Sequence, residues 1–127
     1  MGLLIMHRDA LCVGEQDEWL LKLLDWTEAN LSRRITLQDA TELTHFAKGY
    51  FCYRFKKLTG VSYIQYVNML RLERSRMLLS DGSTVEATAQ SCGIACVPYF
   101  VQLFKRHYGV TPARYRLSTD IERGRSL

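Results

Sequence analysis

The feature that most constrains this chain is a phrase written twice, "YFCYRFKKLTGVS" at Tyr50 to Ser62 and "YFVQLFKRHYGVT" at Tyr99 to Thr111. Tyr99 minus Tyr50, Phe104 minus Phe55 and Gly109 minus Gly60 all give 49. A repeat kept in register over that many positions calls for two similar folding units rather than one continuous core. Each copy sets two phenylalanines four residues apart, Phe51 with Phe55 and Phe100 with Phe104, which places each pair on one face of a helix. Each then runs through basic residues to a glycine, the usual left-handed stop of a helix whose last turn carries cations.

Upstream of each copy stands a shorter helix with its own start signal. Thr36 precedes "LQDATELTH", with Asp39 at the third helical position like the acid of a capping box, and Thr84 precedes "VEATAQSCG". A short helix, a brief turn and a longer basic helix make a helix-turn-helix, here twice. Ahead of the first pair, "DEWLLKLLDWTEANLS" has acids in its first turn and an apolar stripe through Leu20, Leu24, Thr27 and Leu31. Between the copies, Ile64, Val67, Leu72, Ser75, Leu78 and Leu79 keep helical spacing, with Arg71, Arg74 and Arg76 left for the outside. The expected fold is therefore all-α. It comprises a loose leader at 1–15, a first lobe at 16–60 (helix-turn-helix about 38–59), a linker helix at 62–80, a second lobe at 83–116 (helix-turn-helix about 85–108) and a flexible tail at 117–127.

The net charge of +4 is distributed unevenly. Met1 to Thr44 carries four basic and eight acidic residues, giving −4, whereas His45 to Leu79 carries seven basic residues against Glu73 alone, giving +6. Ser80 to Cys92 adds −2 and Gly93 to Leu127 adds +4. Positive charge thus gathers where the repeated phrases lie, a footprint suited to a polyanion and also to a plain solvated face. No apolar run approaches the roughly 18 residues of a membrane span, so the expectation is a cytoplasmic protein with no membrane partner. Cys12, Cys52, Cys92 and Cys96 lack paired metal-ligand spacing. Nor is there a serine-centred elbow, P-loop or metal box, so the sequence calls for no enzyme and no cofactor. Asp25 and Glu28 fall on a solvent face, and His45 and His107 at a turn and a helix end.

A major groove about 12 Å wide admits one helix, and the second helix of a helix-turn-helix is the one that enters it. Two such helices can enter successive grooves if held about 34 Å apart. A connecting helix of roughly 25 Å plus two helix radii is of that order. Double-stranded DNA is therefore the expected partner. Lys56, Lys57, Lys105 and Arg106 stand at the far ends of the reading helices, where they can pair with phosphates or simply solubilise the surface.

The segments "LDWTEANLSRRITLQD", "FKKLTGVSYIQYVNMLRLERSRMLL" and "AQSCGIACVPYFVQLFKRHYGVTPARYR" resemble the DNA-binding domain of the AraC/XylS family of bacterial transcription regulators, especially its short MarA/SoxS-type members. The closing phrase, with Phe104, Lys105, Gly109, Pro112, Tyr115 and Arg116, is the most specific part of the likeness. The resemblance implies seven helices in two lobes and a protein that is monomeric or weakly associating. It also implies an activator that binds an asymmetric DNA site and recruits RNA polymerase. Base-reading positions align with Lys48, Gly49, Cys52 and Tyr53 in the first lobe and with Val97, Pro98, Val101 and Gln102 in the second. Phe51, Phe55, Phe100 and Phe104 align with the core-facing side.

The chain departs from the family pattern in ways that bear on specificity. Ala47 and Cys96 stand where a Ser or Asp usually caps each reading helix, and Tyr53 and Gln102 stand where a base-contacting arginine is usual. Ala40 and Thr88 are smaller than the apolar residues usual at their places. Arg54 lies about 100° around the helix from Tyr53 and is better placed for phosphate than for bases. Two readings stay open. One is a working regulator with an A/T-leaning, weakly specific site anchored mainly by phosphates. The other is a degenerate helix-turn-helix domain that acts as a protein-interaction module with weak non-specific DNA binding.

Overall fold

The structure, a computed structural model, describes residues 17–125. The expected leader at 1–15 lies outside the described residues. Seven helices and no strands are present among them: α1 (Glu18–Ala29), α2 (Leu37–Thr44), α3 (Lys48–Thr59), α4 (Tyr63–Ser80), α5 (Val85–Ser91), α6 (Val97–Tyr108) and α7 (Pro112–Arg125). The chain divides into two compact units, and the division falls inside α4, between Leu70 and Arg71.

In the first unit, α1 buries Leu20, Leu23, Leu24 and Thr27. Thr36 caps α2 as its spacing to Asp39 predicts: its hydroxyl accepts from the Asp39 N–H at 3.2 Å, and its own N–H donates to the Asp39 carboxylate at 2.8 Å. The bond from the Thr36 N–H, helped by a second that the Thr36 hydroxyl donates to the same carboxylate at 3.1 Å, holds the Asp39 carboxyl below the ordinary carboxylate range. The turn into α3 passes through His45 in the left-handed conformation (φ 62°), so this histidine serves the backbone turn. Phe51 and Phe55 are fully buried and meet Tyr63 edge-on, with ring centroids 5.6 and 5.4 Å away. The Tyr63 hydroxyl lies 2.7 Å from the Thr27 hydroxyl. Because Thr27 gives its one hydrogen to the Leu23 carbonyl, Tyr63 is the donor between them. This buried pair satisfies two polar atoms in an apolar core.

The start of α4 differs from the sequence expectation. Ile64 is 43% exposed, and Tyr63 and Tyr66 face the core in its place beside the expected Val67. Tyrosine can bury its ring while its hydroxyl finds a partner, which an aliphatic stripe does not reveal.

The second unit repeats the plan. Thr84 caps α5 by accepting from the Ala87 N–H at 3.1 Å. Phe100 and Phe104 are fully buried with Leu79 and Cys92, while Leu78, expected in the stripe, is only partly buried. Burial raises the Cys92 thiol pKa, which fits a small hydrophobic side chain. The signature residues at the start of α7 hold this unit together. Tyr115 packs 5.7 Å from the Phe104 ring and its hydroxyl lies 3.1 Å from that of Ser80, and Arg116 donates to the Gly82 carbonyl at 3.1 Å. Helix α7 runs on through residue 125, whereas the sequence suggested that the lobe ended at 116.

Candidate nucleic-acid interface

Helices α3 and α6 are twelve residues long and end alike. Gly60 and Gly109 both take the left-handed conformation, at φ 88° and 83°, and each returns its N–H to the carbonyl four residues earlier, Lys56 or Lys105. Only glycine adopts this backbone without strain, and that is why both copies of the phrase stop on it. The basic last turns, Lys56 and Lys57 in α3 and Lys105, Arg106 and His107 in α6, complement the negative end of each helix dipole. Stabilisation of the helix end and attraction of a polyanion thus draw on the same charges.

With the phenylalanine pairs turned inward, α3 leaves its aligned reading positions uncovered and α6 leaves only part of them so. Lys48, Gly49, Cys52 and Tyr53 are all exposed on α3. A Cβ added at Gly49 would meet nothing within 4 Å, so the surface there is open backbone. On α6, Pro98 and Gln102 are exposed, but Val97 and Val101 are half-buried and Val97 packs against the core. The first face is therefore polar and basic, and the second mainly apolar with one amide.

Neither reading helix has a side-chain cap. Ala47 and Cys96 sit in extended conformations suited to capping, yet neither accepts from its helix. The first N–H groups, four at the start of α3 and three at that of α6 because Pro98 has none, are left without a side-chain cap.

Of the phosphate candidates, Lys56, Lys57, Lys105 and Arg106 are exposed. Arg54 is not free: its guanidinium bonds the Asp17 carboxylate at 2.5 Å, with side-chain exposures of 26% and 15%. It ties α3 to the residue that begins α1. The partners are 37 positions apart, so sequence spacing gave no sign of the pairing. Tyr50 and Tyr99, equivalent letters of the repeat, are 52% and 47% exposed beside the reading positions. Their identity in both copies was the available signal, although no motif around them names a role.

The helix-turn-helix domain family model matches residues 40–118. The Bacillus subtilis bifunctional transcriptional activator/DNA repair enzyme AdaA is 28% identical over 106 residues, covering 83% of this chain and 50% of AdaA. The multiple antibiotic resistance protein MarA of Salmonella typhimurium is 28% identical over 97 residues, covering 76% of each chain. Among solved structures, the DNA-binding domain of AdpA in complex with a target DNA matches with a TM-score of 0.78 at 24% identity, covering 83% of this chain and 96% of that one, a likeness of fold. The chain spans a third to a half of the length of the first curated relatives it matches. Its family match, covering more than half of the chain, and the paired helix-turn-helix units place the chain in the AraC/XylS family of DNA-binding transcriptional regulators.

Proposed function

We propose that this chain is a sequence-specific DNA-binding regulator of transcription, an activator, which inserts α3 and α6 into successive major grooves of double-stranded DNA. The observation that carries this reading is the matched division of both helices. Each turns a fully buried phenylalanine pair inward and ends in a basic last turn, and aligned reading positions are left exposed on both, Lys48, Gly49, Cys52 and Tyr53 on α3 and Pro98 and Gln102 on α6. Lys48, Gly49, Cys52 and Tyr53 read one half of an asymmetric site, and Val97, Pro98, Val101 and Gln102 read the other. Valine and proline contact thymine methyls, and Gln102 pairs with adenine, so the second half leans to A/T. Lys56, Lys57, Lys105 and Arg106 hold the backbone. RNA polymerase is the protein partner of an activator of this kind, and the chain acts as a monomer.

The half-buried valines and uncapped start of α6 also favour a second reading, in which this apolar surface binds protein and DNA binding is non-specific. Incubation with a random duplex library, separation of bound DNA by electrophoresis and sequencing of the bound pool distinguish the two. An enriched asymmetric motif supports the regulator. A flat pool with micromolar or weaker binding at physiological salt supports the protein-binding module.

A further inference from the structure

Tyr53 and Lys57 lie four residues apart on α3, and four residues along a helix bring side chains onto one face. The Lys57 ammonium donates to the Tyr53 phenol oxygen at 3.2 Å and stands 5.5 Å from the ring centroid. Tyr53 is 59% exposed, so its orientation is set by this contact on the surface of the helix rather than by burial. The neighbouring guanidinium of Arg54 is held by Asp17. Position 53 therefore presents a phenol with a cation attached.

A phenol has one O–H donor and lone pairs that accept. With Lys57 donating into the oxygen, the function left to face outward is the O–H, polarised by the adjacent positive charge into a stronger donor. In the major groove guanine O6 and thymine O4 accept, whereas cytosine offers only the N4 amino donor. Adenine offers its N6 donor beside an N7 acceptor, so it is intermediate. A tip that only donates suits the keto bases and meets cytosine donor against donor. The ring edge beside it adds apolar contact for a thymine methyl.

We propose that Tyr53, positioned by Lys57, is the specificity-determining residue of α3, selecting guanine or thymine over cytosine at one position of the first half-site. This rests on the reading of α3 as a major-groove helix. Lys57 has a double part: one of its three N–H donors orients the phenol, and the other two remain for a backbone phosphate.

The test is the bound-pool selection carried out in parallel with the unaltered protein, Tyr53→Phe and Lys57→Met, with melting by circular dichroism to confirm that each variant is folded. The unaltered protein is expected to give one motif column in which guanine and thymine exceed cytosine about tenfold, within the range of one good base contact. Tyr53→Phe flattens that column to within about twofold and leaves the others, because only the O–H has gone. Lys57→Met admits cytosine there, since the freed oxygen can now accept, and lowers the slope of log affinity against log salt by about one. A motif from the unaltered protein in which every column survives Tyr53→Phe overturns the tyrosine assignment alone. A flat pool from the unaltered protein overturns the DNA-reading function, and this inference with it.

Discussion

Restoring the missing caps of the reading helices gives a prediction that can be worked from the structure itself. Thr36 and Thr84 cap α2 and α5 from extended backbone, at φ −117°, ψ 163° and φ −69°, ψ 161°. Ala47 (φ −64°, ψ 149°) and Cys96 (φ −92°, ψ 108°) are also extended, so a serine at either place reaches its helix without a backbone change. Ala47→Ser aims at the Tyr50 N–H and Cys96→Ser at the Tyr99 N–H. A cap of this kind contributes about 1 kcal/mol, which in a domain of this size raises Tm by about 5 °C. Ala47→Asp adds about 0.3–1 kcal/mol from the helix dipole, but it puts a negative charge at the end that meets DNA. Stability and affinity should then separate: the serine variants melt higher and bind DNA at least as tightly, while Ala47→Asp melts higher still and binds more weakly. Calorimetry reads the first and fluorescence anisotropy with a labelled duplex the second. Thr36→Ala is the control, expected to lose about 1 kcal/mol. If the control loses stability while both serine variants leave Tm unchanged, the claim that these helix starts are uncapped is refuted.

Three further outcomes follow from single contacts. Asp17→Asn weakens the hold on Arg54, and the released guanidinium becomes available to phosphate, so the slope of log affinity against log salt should steepen by about one; an unchanged slope counts against it. The Thr88 hydroxyl is buried without a hydrogen-bond partner among the described residues, so Thr88→Val, of nearly the same shape, should raise the urea midpoint by the equivalent of about 1 kcal/mol. Burial, reinforced by the Glu73 carboxylate, raises the pKa of Tyr108 above that of an unfolded tyrosine. The neutral phenol thus stabilises the folded state below pH about 10, and that stability is lost as pH rises toward the folded value. Tyr108→Phe should flatten the decline of urea-denaturation stability above pH about 10. Parallel declines would show that Tyr108 is not the group responsible.

Much of the fold was legible because its boundaries are written in local chemistry. Thr36, Thr84, Gly60 and Gly109 mark starts and stops, and the two phenylalanine pairs fix which faces turn inward; each of these acts within a few residues of itself. What was not legible depends on distant partners. The burial of Tyr63 over Ile64 needs Thr27, 36 residues away, to receive the phenol, and the engagement of Arg54 needs Asp17. Tyr53 with Lys57 is a local pair, yet the sequence offered its members as separate base and phosphate candidates. The extension of α7 through residue 125 had no apolar stripe to announce it. The half-burial of Val97 and Val101 likewise emerged only from packing within the second unit.

The central claim is that both reading helices enter DNA, and a chemical footprint on the selected duplex tests it most directly. Methylation interference at guanine N7 and loss-of-methyl interference on replacing thymine by uracil, together with hydroxyl-radical protection of the backbone, should reveal two patches about 10–10.5 base pairs apart on one face of the duplex. Gln102→Ala should weaken one patch and Tyr53→Phe the other. A single patch, or protection without base interference on an enriched site, would contradict the account.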